Sequence, residues 1–395
     1  MEFFKRVPQV EPFKELAEQK DNKFTFLELL DPTCVEAAVA TQNYIFTLSS
    51  GSFELKCWSL RSSKLQNSAR LGPEYTPKSS DKFHLLVNRF ILVLLASGNN
   101  GSTIFLWDFK RRDVMTLDEP IIYKSKVIQS KIDSGMLYTY AADNEMAFWS
   151  LKDGEITLCG SKKKSITFME PLDGNDRALY LAHSHTLSIV IDFTNICWRD
   201  QNAAQKILAL HIVKMKSKSM LITGHKNHVI RIWNSNITPI NEVDLLKGTP
   251  DAPKQQTSTM CSYRIHYLEE RDELIIAHNE NISVYKMISR SSLHLEQQAH
   301  RSEITEVTSY KGEPSYLLTK CQSSIRLWRY TMTSDPALNL VGEISVTNVD
   351  KVVPVSDVGL YLVGKCYHAG LVLWRYADSY LSRQLKASRN FYVSN

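Results

Sequence analysis

Short stretches in which apolar residues run continuously or alternate with polar ones recur along the whole chain. Such runs of a few residues are typical of β-strands. Eight of them end in a similar pattern: FELKCWSL, TIFLWDF, EMAFWSL, LSIVIDF, VIRIWNS, NISVYKM, SIRLWRY and GLVLWRY. The large residue near the end of each, which we term its anchor, is Trp58, Trp107, Trp149, Ile191, Trp233, Tyr285, Trp328 or Trp374. The pattern predicts eight equivalent strands.

The spacing of the anchors is nearly regular. Consecutive anchors are separated by 49, 42, 42, 42, 52, 43 and 46 residues. A second strand-like run precedes each of them, and the residue six before the anchor is polar in every repeat except at Gly101, as a tight hairpin turn requires. Each repeat is therefore at least a β-hairpin. Core tryptophans of a β-sandwich are the alternative, but a sandwich does not impose equal spacing.

A small antiparallel sheet cannot bury both of its faces alone, whereas sheets arranged radially cover one another. The dipeptide Trp107-Asp108 has partial echoes in Ile191-Asp192 and Trp328-Arg329, and His300 lies 28 residues before Trp328. In these residues, and in the spacing of its repeats, the chain resembles the WD-repeat (WD40) family over roughly residues 25 to 385.

The resemblance implies an all-β fold, a single WD40-type β-propeller with eight blades, or seven as the alternative. The strand that starts at Asn22 would complete the last blade, so that N- and C-terminal strands close the ring and remove an exposed edge. The predicted domains are an N-terminal extension (1–21), the propeller (22–388) and a C-terminal tail (389–395). Family members often carry a His, Ser, Asp and Trp network within one blade. Here Asp143 keeps the turn acid and His300 the histidine, in different repeats.

Composition favours a reducing, intracellular location, nuclear or cytoplasmic. The seven cysteines are scattered and never spaced as Cys-x-x-Cys, and MEFFKRVPQV has no secretory pattern. The most apolar stretch, Leu85 to Ala96, is too short to cross a bilayer and predicts two buried strands. We expect no membrane partner.

No catalytic or cofactor motif is present, so we expect no enzyme activity, cofactor, metal or small-molecule substrate. The 15 glycines form neither a phosphate-binding loop nor a nucleophile elbow. His183-x-His185 and His225-x-x-His228 are spaced like metal ligands, but no cysteine or acidic cluster accompanies them and the turn positions explain them better. A propeller enzyme would need inward carboxylates, and the strand-initial positions are apolar or neutral.

Three basic triplets are the candidate contacts with an acidic partner or a phosphate backbone. They are Lys110, Arg111 and Arg112; Lys162, Lys163 and Lys164; and Lys214, Lys216 and Lys218. Converging on one face, they would form a binding footprint; apart, they are ordinary solvated surface. The net charge of +5 is too small to decide.

The resemblance implies a rigid platform for other proteins. We therefore expect a non-enzymatic scaffold, a subunit of an intracellular multiprotein complex that binds other protein subunits. One alternative is a nucleic-acid-associated accessory subunit of an RNA-processing or chromatin complex. A propeller enzyme is the second alternative.

Overall fold

The structure is a computed structural model. It describes residues 24–31, 35–41, 43–49, 51–59, 62, 64–72, 81–88, 90–110, 120–152, 155–172, 178–190, 198–215, 219–245, 262–269, 271–287, 291–296, 298–310, 315–330, 338–345, 349–355, 361–366 and 370–376. The predicted extension 1–21 and tail 389–395 lie outside the described residues, as do Arg111, Arg112, Lys216 and Lys218.

The described strands form eight antiparallel sheets of four strands. The first strand, β1 (Phe24–Asp31), belongs to sheet 8. Sheet 1 contains β2 (Val35–Ala40), β3 (Tyr44–Ser49), β4 (Glu54–Ser59) and β5 (Leu65–Arg70), and sheet 2 contains β6 (Lys82–Asn88), β7 (Ile91–Gly98), β8 (Gly101–Asp108) and β9 (Ile121–Tyr123). Sheet 3 contains β10 (Val127–Asp133), β11 (Met136–Ala141), β12 (Glu145–Lys152) and β13 (Glu155–Lys163), and sheet 4 contains β14 (Phe168–Leu172), β15 (Ala178–His183), β16 (Thr186–Val190) and β17 (Trp198–Asn202). Sheet 5 contains β18 (Ile207–Lys214), β19 (Ser219–His225), β20 (Val229–Asn234) and β21 (Pro239–Asp244). Sheet 6 contains β22 (Tyr263–Leu268), β23 (Glu273–His278), β24 (Asn281–Lys286) and β25 (Ser291–Glu296). Sheet 7 contains β26 (Ile304–Tyr310), β27 (Ser315–Cys321), β28 (Ser324–Tyr330) and β29 (Leu338–Ser345). Sheet 8 contains β30 (Val349–Val355), β31 (Tyr361–Cys366), β32 (Gly370–Tyr376) and β1 (Phe24–Asp31).

The innermost strands follow one another around a ring. Each of them contacts the innermost strand of the next sheet, and β30 contacts both β26 and β2. In sheet 8 the outer position is taken by β1, which pairs antiparallel with β32. That sheet therefore unites the two ends of the chain, with the strand pairing expected from the sequence.

The core consists of separate apolar clusters, each shared by two consecutive sheets, between sheets 1 and 2 through to sheets 6 and 7. In sheets 2 to 6 the second strand lies between two such clusters and reads as a nearly continuous apolar run, because both of its faces are covered. In β7, residues Leu92 to Leu95 are completely buried. The predicted division of 85–96 into two strands corresponds to β6 and β7.

Seven of the predicted anchors lie on the third strand of their sheets, opposite an Ile or Leu of the second strand. From Trp107 to Trp328, the described anchor side chains pack into the cluster shared with the preceding sheet. Four tryptophans also donate an indole N–H to a threonine hydroxyl on the second strand. These bonds are Trp58 to Thr47 (3.1 Å), Trp149 to Thr139 (2.9 Å), Trp233 to Thr223 (2.8 Å) and Trp328 to Thr319 (2.7 Å).

Trp107 lacks this hydrogen bond. In the other four sheets the threonine lies two residues after the partner of the anchor, and the corresponding residue of β7 is Leu94. The Trp107 indole nitrogen is buried with no hydrogen-bond partner. Leucine improves apolar packing here but leaves a buried donor unsatisfied.

The anchor predicted at Ile191 needs a correction. Ile191 itself lies outside the described residues, and Val190 holds the position opposite Leu179 and packs into the cluster between sheets 3 and 4. The turn from β15 to β16 is one residue shorter than the equivalent turn in sheet 3, so the regular spacing of 42 residues points one residue too far. On the other side of Val190, β17 places Trp198, the one tryptophan outside the anchor series.

The outer strand bulges where it passes a large anchor. The pairing register shifts immediately before Trp58, Trp149, Trp233, Tyr285 and Trp328, so one residue of the outer strand is skipped at each. Opposite Val190 the register is continuous. A bulge bends and twists a strand, so it makes room for the aromatic side chain of a large anchor at the sheet interface. A small anchor such as Val190 does not require it.

Gly101 is the exception among the polar turn residues for a steric reason. Its φ is +134°, a conformation that side chains rarely adopt. A Cβ at this position would lie 2.5 Å from the carbonyl oxygen of Tyr123 on the outer strand. Only glycine fits this turn.

The two kinds of buried tryptophan predict different costs for the same substitution. Trp233→Phe removes the hydrogen bond to Thr223, whereas Trp107→Phe removes an N–H that has no partner. Both changes lose similar buried area, so we expect Trp233→Phe to lower the free energy of unfolding by about 1 to 2 kcal/mol more than Trp107→Phe. Urea unfolding followed by circular dichroism measures the difference. Equal losses would contradict the assignment of these hydrogen bonds.

Candidate functional site

Two faces of the ring carry the strand connections. On the upper face the innermost strands begin and the second strands turn into the third; on the lower face the innermost strands end and the third strands turn into the outer strands. Lys162, Lys163 and Lys164 lie at the upper end of β13 and just beyond it, whereas Lys110 follows β8 and Lys214 ends β18, both on the lower face. The described lysines of the three triplets are thus divided between the two faces.

Several of these lysines are engaged with acidic partners. Lys163 lies 3.7 Å from Asp143, Lys164 lies 2.8 Å from Asp200, and Lys214 lies 3.9 Å from Asp133. Lys110 instead sits over the ring of Phe90, 3.1 Å from its centroid. Such surface pairs add little stability, but they offset the positive charge that a phosphate backbone would meet.

The histidines with metal-like spacing lie in different surroundings. His225 and His228 are buried, while His183 is exposed and its ring bonds to the hydroxyl of Thr167 at 3.2 Å. Among the described residues no group of three His, Cys, Asp or Glu side chains is arranged to hold a metal ion.

Two histidines extend the threonine and tryptophan bonds into three-residue networks. His300 Nε2 bonds to the hydroxyl of Thr319 at 2.7 Å, and its Nδ1 lies 3.4 Å from the hydroxyl of Ser324. His225 Nε2 bonds in the same way to Thr223 at 2.7 Å. The sequence indicated the histidine of sheet 7 but missed His225. His225 follows Thr223 on the second strand, whereas His300 precedes the innermost strand, so the two histidines share no position in the repeat.

A histidine pair joins sheets 5 and 6 near the upper face. His228 Nδ1 lies 3.0 Å from His278 Nδ1, and His278 Nε2 bonds to the hydroxyl of Ser283 at 2.8 Å. Both imidazoles are buried. Burial, and then the neighbouring imidazole, lower the pKa of His278 to about 3, so this ring is neutral at physiological pH.

The centre of the ring contains a cavity of about 590 Å³. It is lined by residues of the innermost strands of sheets 1 to 4, namely Glu36 to Ala38, Phe83 to Leu86, Gln129 to Lys131, and Thr167 to Glu170. Two of these lining residues, Glu36 and His84, each interact with another group of the protein. Because most of these residues lie in the upper part of their strands, the cavity is nearer the upper face.

Polar residues occupy one register position on five innermost strands, and we term this set the polar belt. Pairing register places Lys131, Glu170, His211, His266 and Thr308 at equivalent positions of five consecutive innermost strands. The corresponding positions of sheets 8, 1 and 2 are Val353, Val39 and Leu86. The equivalent positions are therefore polar in sheets 3 to 7 and apolar in sheets 8, 1 and 2.

Neighbouring members of the belt interact. The ammonium group of Lys131 donates to Glu170 Oε1 at 3.0 Å, and His266 Nε2 bonds to the hydroxyl of Ser309 at 2.7 Å. Burial raises the pKa of Glu170, and Lys131 opposes that rise. Burial, His266 and Lys131 lower the pKa of His211 to about 4, and burial lowers that of His266. At neutral pH the belt therefore carries one ion pair beside neutral imidazoles.

The strand-initial residues of β2, β10 and β14 are apolar (Val35, Val127 and Phe168), but carboxylates that line the cavity occur further along two of these strands. Glu36 and Glu170 both line the cavity. The innermost strand of sheet 1 bulges at Glu36, since the pairing register shifts between Val35 and Ala37. Sequence alternation does not reveal which strand of a sheet lies innermost. The position of Glu36 and Glu170 at the channel therefore could not be predicted from the sequence.

A second ion pair lies at the lower ends of the innermost strands. Asp133 ends β10 of sheet 3 and Lys214 ends β18 of sheet 5, and their charged groups lie 3.9 Å apart across the shorter strand β14. No helix in the described part of the chain is long and apolar enough to span a bilayer.

The buried His278 predicts how stability changes with pH. Its pKa in the folded protein, about 3, lies below the value of about 6.5 expected in an unfolded chain, so below about pH 6.5 the unfolded state takes up more protons. Stability should fall by about 1.4 kcal/mol per pH unit from this group as the pH drops from 6.5 towards 3. We expect His278→Gln to remove about 2 kcal/mol of the loss between pH 7 and pH 5, measured by urea unfolding. The exposed His183→Gln is the control, and equal pH profiles for both variants would refute the prediction.

Comparison by sequence finds no relatives. No protein-family model matches the chain, and no curated protein matches it at a significant level.

Comparison by structure finds chains of the same architecture. Sqt1 from Saccharomyces cerevisiae has a TM-score of 0.61 at 12% identity, covering 88% of this chain and 97% of that one. The computationally designed protein Ika8 has a TM-score of 0.59 at 12% identity, with 89% and 98% covered. BamB from Moraxella catarrhalis has a TM-score of 0.57 at 8% identity, again with 89% and 98% covered. Sqt1 and BamB are propellers. The predicted all-β propeller is thereby confirmed: this chain has the β-propeller fold.

Proposed function

We propose that this chain is a WD-repeat-type propeller that works as a non-catalytic protein-binding scaffold, an intracellular subunit of a multiprotein complex. The observation that carries the proposal is the architecture itself. Eight four-stranded sheets present their connections on two faces, and the apolar clusters between sheets fix those connections in place. A rigid ring with exposed turns is suited to holding a partner chain.

The WD-repeat assignment rests on residues within the sheets. Tryptophan anchors bonded to threonine recur in four sheets, and a histidine completes the network in sheets 5 and 7. Trp107-Asp108 supplies the namesake dipeptide. The structural similarity to Sqt1 and BamB, at 12% and 8% identity, supports the fold alone, so the finer assignment depends on these contacts.

The upper face is the proposed binding surface. The central cavity lies nearer this face, whereas the ion pair of Asp133 and Lys214 lies towards the lower face. The upper turns also offer exposed polar side chains, among them Asp143, Lys226 and Gln322. An extended peptide or a helix laid across these turns would contact several sheets at once.

The charge distribution favours a protein partner over nucleic acid. The described lysines of the basic triplets are divided between two faces, and three of them pair with aspartates. A phosphate backbone binds best to a continuous positive surface.

Paired charge-reversal variants test the scaffold and its face together. The upper variant combines Lys226→Glu with Gln322→Glu, and the lower variant combines Lys110→Glu with Asn236→Glu; all four side chains are exposed. Each variant changes the net charge by the same amount. The tagged full chain is purified from cells of its own organism, and the co-purifying chains are quantified by mass spectrometry and size-exclusion chromatography.

We expect the unmodified chain to retain a partner in stoichiometric amount. With the upper variant, the amount of co-purifying partner should fall at least about tenfold, because negative charge introduced into a contact repels the partner's acidic groups or removes an attraction. With the lower variant, the amount should be unchanged. Circular dichroism confirms that both variants fold. A chain that elutes alone would refute the scaffold, and equal retention by the two variants would refute the choice of face.

A further inference from the structure

The central cavity has the size and lining of a small-molecule site. Its volume, about 590 Å³, lies within the range of roughly 300 to 1,000 Å³ that ligand pockets occupy. One part of its wall is formed by the partly buried apolar residues Phe83, Leu86 and Phe168. Small residues such as Ala38 and Ser130 on the neighbouring strands leave the space open.

The polar part of the wall contains an ion pair that remains accessible. Lys131 and Glu170 lie 3.0 Å apart, and their side chains are 45% and 25% exposed. Both line the cavity. Their contact uses one ammonium hydrogen and Oε1 of the carboxylate. Two ammonium hydrogens and the second carboxylate oxygen are left to bind a ligand.

This pair selects against a ligand of single charge. An anion bound to Lys131 would lie close to the carboxylate of Glu170, and a cation bound to Glu170 would lie close to the ammonium of Lys131. In a partly buried site each arrangement loses in repulsion much of what it gains in attraction. A ligand that carries both charges on adjacent atoms satisfies both residues at once and leaves the local charge balanced.

We propose that the channel cavity binds a zwitterionic amino acid with an apolar side chain. Its carboxylate accepts from Lys131, and its ammonium group donates to Glu170. Its side chain packs against Phe83 and Phe168. This site is tested separately from the protein-binding face proposed above, because neither Lys226 nor Gln322 lines the cavity.

Calorimetric titration of the full chain with four compounds tests the charge requirement. Leucine and phenylalanine carry both charges; 3-phenylpropionate lacks the ammonium group and 2-phenylethylamine lacks the carboxylate. We expect at least one of the two amino acids to bind with a Kd on the order of 0.1 to 1 mM. Both analogues should bind at least about tenfold more weakly. The absence of saturable binding by either amino acid, or equal binding by either analogue, would overturn the proposal.

Variants of the ion pair test the location. Lys131→Met and Glu170→Gln should each weaken amino-acid binding at least about tenfold. The control is Lys214→Met, which disrupts the pair with Asp133 at the lower ends of the innermost strands and should change the affinity less than about twofold. Unchanged affinity in Lys131→Met, or an equal loss in Lys214→Met, would place the site elsewhere and overturn the proposal. Should a variant fail to fold, the analogue series decides the question alone.

Discussion

The sheets of this protein depend on one another to cover their faces. Every described core cluster is shared by two consecutive sheets, so none of these sheets has a core of its own. Apolar burial contributes roughly 25 cal/mol per Å², and here nearly all of it is realised only when a neighbour is present. The anchors concentrate this dependence, since Trp107, Trp149, Trp233 and Trp328 reach into the cluster shared with the preceding sheet. Stability in such a ring is a property of interfaces between repeats rather than of single repeats.

The second and third strands could be predicted from the sequence because both are buried between neighbours. Burial on both faces demands apolar runs, and the interface demands a large residue at a fixed register, so these strands carry a strong pattern. The prediction failed by one residue at Ile191, where a shorter hairpin turn made Val190 the equivalent residue. The spacing of anchors measures only their separation in sequence. It does not reveal a turn that is one residue shorter when the segment after the strand is one residue longer.

The channel was not predictable in the same way. Lys131, Glu170, His211 and His266 are separated by 39, 41 and 55 residues and share no residue type, so no repeat signal connects them. Their common level follows only from the pairing of each innermost strand with its second strand. Innermost strands are covered by neighbours yet open to a central space, so polar and apolar residues are both tolerated there. The titratable side chains at this level therefore lie on the strands whose sequences show the weakest repeat pattern.

Sheet 8 sets the order of events during synthesis of the chain. Its strand β1 is made first, and its partner β32 lies more than 300 residues further along the sequence. Sheets 1 to 7 need only consecutive segments and can assemble one after another as the chain emerges from the ribosome. Throughout that time β1 has backbone hydrogen-bonding groups without their final partner, and an uncovered strand of this kind invites pairing with other chains. Contacts so distant in sequence form slowly, so the final pairing is the step at which nascent chains of this protein are most exposed to misassembly.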